Sequence, residues 1–151
     1  MSTQQILDKL AVVEALYRFA AGLDLRDEAL LKSAFAENAV SDFRPAAAKA
    51  GFKYPLLEGR DTITTALSRS NASFDTSHSM SNPRVTLDGD KAHIDVLVEA
   101  QHVPQDDPSR YYMMKNRYDV ELVKEGGVWV ILRNTVDNIW RQGDVTVLSV
   151  V

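Results

Sequence analysis

The chain contains no cysteine, which removes disulfides, thiolate nucleophiles and cysteine-ligated metals from consideration. It has no apolar run near the ~20 residues of a membrane span, and MSTQQILDKL lacks the basic-then-apolar pattern of a leader. The expectation is a cytoplasmic protein without a membrane partner. Basic clusters are missing as well. The 17 Lys and Arg are scattered among 21 Asp and Glu, so a nucleic-acid footprint is not expected. A Gly-rich phosphate loop, GxSxG and HExxH are all absent, which sets aside nucleotide-dependent, serine-hydrolase and zinc-protease chemistry.

What remains is a 151-residue chain, 45% apolar and 25% charged, long enough for one domain over 1–151 with a sizeable core. Residues 3–22 place Ile6, Leu10, Val13, Tyr17 and Ala20 at helical spacing, with Asp8, Lys9, Glu14 and Arg18 mostly elsewhere on the wheel. Gly22 weakens that helix, and Asp24 to Asp27 restart the chain into DEALLKSAFA, a second short helix. AVSDF can make a short strand. Residues 45–59 carry Pro45, Gly51, Pro55 and Gly59 and read as an irregular functional flap. DTITTALSRS is a third helix. From about residue 78 the chain reads as long strands joined by turns at DG, PQDDPS and KEGG.

Helices first and an antiparallel meander afterwards give an α+β domain. Strands this long curl, and three N-terminal helices would close the concave face of the curled sheet. The expected product is a cone with a pocket.

Alternation in KAHIDVLVEAQHV sets His102 in phase with Ile94, Val96 and Val98, and puts His93 among the charges as a surface residue. His78, in "FDTSHSMSN", poses a conflict. A turn at Asp88 and Gly89 pairs Val85 with Ala92, and the same register puts His78 opposite Glu99 on the outer face. One extra residue in the first strand would turn His78 inward. Pro83 marks the place, so a β-bulge is predicted between Met80 and Arg84.

A carboxylate bonded to one imidazole nitrogen fixes the tautomer and frees the other nitrogen to take a proton. Asp24 with His78 would form such a dyad. His102 could then stabilise an oxyanion or protonate a leaving group. Blander roles stand beside these: Asp24 as the cap of the second helix, His78 as a loop residue bonded to backbone, and His102 as a satisfied core residue. Two histidines and an aspartate could also hold a metal, but their spacing matches no strong zinc pattern. Asn116 and Tyr118 share an apolar face with Tyr112, Met114, Val120 and Leu122 and could bond a carbonyl or hydroxyl, while Tyr17, Phe19, Phe43, Tyr54, Phe74 and Met80 offer walls for a ring-shaped ligand.

The succession "LDLRD", "AVSDFR", "DTSHSMSNPRV", "EAQHV", "GGVWVI" and "NIW" resembles the SnoaL-like branch of the NTF2-like (cystatin-like) superfamily, over nearly the whole chain. Within it the chain is most similar to scytalone dehydratase-like proteins. That resemblance implies a cofactor-independent lyase or isomerase acting on a small, hydrophobic cyclic substrate. Its catalytic set falls at Asp24, His78 and His102, with no metal, and with Tyr17, Phe43, Tyr54, Phe74, Asn116 and Tyr118 around the substrate. Two tyrosines of the family's pattern are replaced here by Leu23 and Phe43, and its later serine and asparagine fall at Asn116 and Tyr118. Tyr54 is a candidate for a lost hydroxyl. Two other readings remain open within the same fold: hydrolysis of an epoxide by an Asp-Arg-Asp cluster, and non-catalytic ligand binding. The resemblance also implies a homodimer or homotrimer, assembled on a sheet face carrying Tyr111, Met113, Val123 and Ile131.

Overall fold

The computed structural model describes residues 1–149, so the last two residues of the expected 1–151 domain lie outside the described residues. Its order is α1 (Thr3–Asp24), α2 (Glu28–Ser33), β1 (Phe35–Asp42), α3 (Arg44–Ala50), β2 (Leu57–Glu58), α4 (Arg60–Asn71), β3 (Phe74–Asp88), β4 (Lys91–Pro104), β5 (Tyr112–Glu125) and β6 (Val128–Gly143), with a closing 3-10 turn at Val145–Ser149. The strands form one sheet in the order β2-β1-β6-β5-β4-β3. The α+β cone expected from the sequence is the observed fold, with helices packed on a curved sheet. The sheet is mixed, because β1 runs parallel to β6. No helix among the described residues is long and apolar enough to cross a membrane.

The stretch read as irregular holds a fourth helix. In RPAAAKAG, Pro45 occupies the first turn, where its missing N–H costs nothing, and Gly51 ends the helix at φ 89°. The proline and glycine that suggested an irregular flap are the start and stop of α3.

The first helix buries a different face from the one expected. Val12, Ala15, Leu16, Phe19 and Leu23 enter the core, while Ile6, Leu10 and Tyr17 remain about half exposed or more. Asp8 decides the rotation. Its carboxylate accepts from the Trp129 indole at 3.0 Å and from Lys124 at 3.0 Å, so this charged residue faces the sheet and the stripe 8, 12, 15, 19 follows. Tyr17 is thereby placed outside the cavity and is withdrawn as a wall residue.

α2 crosses close to α1. A Cβ on Gly22 would lie 2.5 Å from the Leu31 backbone nitrogen and Cα, so only glycine admits this approach. The turn between them puts Arg26 at φ 53°, and its guanidinium bonds the Phe74 carbonyl and Asp75. That ties the end of α1 to the start of β3.

The predicted bulge is present. Ser81 pairs with Leu97 and Arg84 with Asp95, so Asn82 and Pro83 together face the single residue Val96. Asn82 takes the left-handed φ of 54° that the bulge requires. The hairpin turn lies one place later than expected, at Gly89 and Asp90, which pairs Val85 with Ile94. Without the extra residue that register would set His78 opposite Gln101, on the outer face; with it His78 stands opposite Ala100, on the inner face. Two further shifts interrupt the β5–β6 ladder, with Leu132 and Ile139 the extra residues. The first turns Ile131 into the core, so it does not belong to the outer face with Tyr111, and Met113 is buried too.

Candidate active site

Asp24 ends α1 and does not cap α2; Asp27 does, its carboxylate accepting from the Leu30 amide at 3.0 Å. Freed from capping, Asp24 meets β3, the last strand in the sheet order. An edge strand has amides that no neighbouring strand takes. The His78 amide donates to Asp24 Oδ2 at 2.9 Å, the Thr76 hydroxyl to Oδ1 at 3.0 Å, and the His78 ring, through Nδ1, to Oδ1 at 2.6 Å. Burial by itself would raise the Asp24 carboxyl; the His78 ring, amide and charge and the Thr76 hydroxyl overcome it and hold Asp24 below the usual carboxylate range. Because a carboxylate can only accept, Nδ1 carries a proton, and in the neutral ring Nε2 is left with the lone pair.

The His102 ring lies 6.1 Å from that of His78, centroid to centroid, at 81°. Its Nδ1 faces the Tyr112 carbonyl at 3.2 Å and must also be the donor, which again leaves Nε2 as the acceptor. Burial, helped by the neighbouring His78 charge, pushes His102 down to about 4. It is therefore neutral at physiological pH. In that state it presents a lone pair, and the donor roles expected of it, to an oxyanion or a leaving group, are not available.

Both rings border a cavity of about 660 Å³, well within the range for small-molecule sites. Phe43, Tyr54, Phe74, Asn116 and Tyr118 line it, as the sequence reading proposed. Phe19 and Met114 line it too, whereas Met80 does not; the sequence did not single out the contributions of Leu67, Asn71 and Val136, of the α3 alanines with residues 51–53, or of the closing 3-10 turn. Phe19 crosses Phe35, His78 and Tyr118 edge-on, and Phe74 does the same to His102, so the imidazoles sit in fixed orientations among aromatic rings. Leu23 and Phe43 both give apolar wall. Tyr54 packs edge-on against Phe43. Among the described residues that line the cavity there is no arginine and no carboxylate; Asp24 stands behind His78. Among the described residues no three His, Asp or Glu side chains converge as metal ligands.

His93 lies outside the cavity, bonded to Asp119 at 2.8 Å on the outer face, as alternation indicated. Asn138 was not foreseen. It is buried behind Asn116, and the two hydrogens of its Nδ2 are directed to Asn116 Oδ1 at 2.9 Å and the Trp140 carbonyl at 3.0 Å, with the Lys115 carbonyl at 3.3 Å as a longer, shared acceptor.

Comparison with known proteins gives the chain a family. The pattern of the SnoaL-like domain matches residues 4–135. The chain belongs to the SnoaL-like family. Among relatives of this SnoaL-like chain, the terrestric acid biosynthesis cluster protein E of Penicillium crustosum is 32% identical over 154 residues, covering 97% of the chain and 93% of that protein. A candidate scytalone dehydratase of Novosphingobium aromaticivorans superposes with a TM-score of 0.82 at 19% identity, covering 95% of this chain and 92% of that one. The hexachlorocyclohexane dehydrochlorinase LinA-type3 of Novosphingobium barchaimii superposes at 0.73 with 18% identity, covering 95% and 94%. At such identities these two structures show the shared fold of the SnoaL-like domain.

Proposed function

We propose that this protein is a cofactor-independent lyase of the dehydratase type, or an isomerase, acting on a small cyclic substrate that carries a carbonyl. The observation that carries this reading is the 2.6 Å contact between Asp24 and His78 Nδ1 at the wall of an apolar cavity. Asp24 holds the tautomer, and Nε2 takes a proton from the carbon next to the carbonyl. The C–H electron pair moves into the ring as the carbonyl π pair moves onto oxygen. In a dehydration that charge returns, the carbon–carbon double bond forms, and the β-hydroxyl leaves as water with the proton that His78 returns. In an isomerisation the proton goes back to a different carbon. His102 Nε2, held as an acceptor, receives the hydrogen of a substrate hydroxyl and orients it.

The names of similar proteins lean the same way: one belongs to a biosynthesis cluster, and others are a candidate dehydratase and a dehydrochlorinase, both names of eliminations. Non-catalytic binding predicts Asp24 and His78 out of reach of each other, and epoxide hydrolysis needs an arginine among carboxylates in the cavity; the geometry favours neither.

The test is a panel of cyclic β-hydroxyketones, with water loss followed as growing enone absorbance. His78→Ala should lower turnover of the best substrate by about 10² to 10⁴ while the melting temperature holds. Full turnover by that variant would end the assignment.

A further inference from the structure

The cavity sorts its hydrogen-bonding groups by wall. On β3 and β4, His78 and His102 both present lone pairs, because each Nδ1 is committed to an oxygen that only accepts. On β5, Asn116 and Tyr118 are two residues apart on the same inner face, about 7 Å along the strand.

Which end of the Asn116 amide meets the cavity is decided behind it. Asn138 Nδ2 lies between the Lys115 and Trp140 carbonyls, a place where an amide oxygen would be repelled. Its orientation is fixed, and Arg141 reinforces it by donating to Asn138 Oδ1 at 3.4 Å. Asn138 Nδ2 therefore consumes Asn116 Oδ1, at 2.9 Å, and leaves Asn116 Nδ2 as the free end on the cavity wall. Nothing among the described residues accepts from Asn116 Nδ2 or from the Tyr118 hydroxyl. Burial, together with the charge on Asp24, raises the Tyr118 hydroxyl far above its ordinary value, so it stays a donor.

We propose that Asn116 and Tyr118 form the oxyanion site for the substrate carbonyl, facing the two histidines, and that Asn138 is the positioning residue that keeps the Asn116 N–H turned toward it. The site deepens the lyase reading and rests on it. The substrate enters with its carbonyl oxygen on β5 and its acidic C–H and hydroxyl toward β3 and β4. When His78 Nε2 takes the α-proton, the charge that develops on the carbonyl oxygen is received by two donors already in place, in a chain where Leu23 and Phe43 supply no hydroxyl.

The probes are 4-nitrophenolate, a cyclic oxyanion read by its absorbance, and naphthalene, a neutral ring of similar size read by its fluorescence. Asn116→Asp and Tyr118→Phe should each weaken 4-nitrophenolate binding about tenfold or more and leave naphthalene binding unchanged. Tyr118→Phe removes only an oxygen, so it keeps the test alive if the aspartate variant folds poorly. Asn138→Ala lets the Asn116 amide turn either way and should cost part of that factor. Asn138→Asp draws the Asn116 N–H backward and should cost all of it. A purely structural role for Asn138 would lower naphthalene binding together with phenolate binding. Unchanged phenolate affinity in both Asn116→Asp and Tyr118→Phe overturns the site, as does a joint loss of both probes in the Asn138 variants. The lyase reading fails separately, by the absence of hydroxyketone turnover in a wild-type protein that still binds phenolate through Asn116.

Discussion

Acidification should destabilise this protein through His102 before it reaches the carboxylates. The ring takes up its proton near 6.5 when the chain is unfolded, and near 4 when burial and the neighbouring His78 disfavour the charge. Between those values the unfolded state binds more protons than the folded state, so stability falls as pH falls. The contribution is whole above about 6.5 and is lost on the way down to about 4. A difference of about 2.5 pH units at about 1.4 kcal/mol each gives about 3.5 kcal/mol, with a limiting slope of one proton. Asp24 acts in the same direction but at lower pH: its carboxyl is held below the ordinary range, so its contribution persists until the pH falls below that range. The assay is urea denaturation at a series of pH values across this window, for wild type and His102→Gln. His78 and His93 are common to both proteins, so the difference in slope isolates His102. The wild-type curve should fall more steeply by nearly one proton. Parallel curves would refute the buried, neutral state assigned to His102, and the acceptor role that depends on it.

Asp24→Asn keeps the shape of the dyad but removes the charge that fixes the His78 tautomer; turnover should fall about 10² to 10⁴ while the protein still folds, at a melting temperature lowered by the loss of the Asp24 contribution, measured as kcat alongside a melting curve. At the bulge, Asn82→Gly should be nearly neutral and Asn82→Val should cost about 1 to 2 kcal/mol, since φ 54° suits glycine and not a branched side chain; chemical denaturation distinguishes them. Gly22→Ala sets a methyl against the Leu31 backbone and should cost about 1 to 3 kcal/mol by the same assay, and it should also lower activity by moving the end of α1 that carries Asp24.

The strands were legible because long runs of alternating residues end in turn signals, and the cone follows from their length. The inward aim of His78 was legible only as a contradiction: periodicity turned it out, resemblance turned it in, and Pro83 offered the place for the extra residue. The structure puts Asn82 and Pro83 opposite Val96 there. Asn138 is a different case: it stands in phase with Asn134 and Val136, ahead of the extra residue Ile139, so alternation puts it inside, and only the pairing of β5 with β6 shows that it backs Asn116. The face of α1 was misjudged because two apolar stripes compete along it, and an aspartate bonded to Trp129 decides between them. Hydrophobic pattern has no way to anticipate a carboxylate chosen for the inside. The α3 roof was hidden by reading Pro45 and Gly51 as breakers rather than as the two ends of one short helix.

The central claim is that His78, held by Asp24, removes a proton next to a carbonyl inside this cavity. Exchange of the α-protons of 2-tetralone in deuterated buffer, followed by proton NMR, tests that step without requiring the natural leaving group. Wild type should accelerate the exchange, and His78→Ala and Asp24→Asn should each return it to the buffer rate, with His93→Ala unchanged. Equal exchange in wild type and His78→Ala would contradict the account.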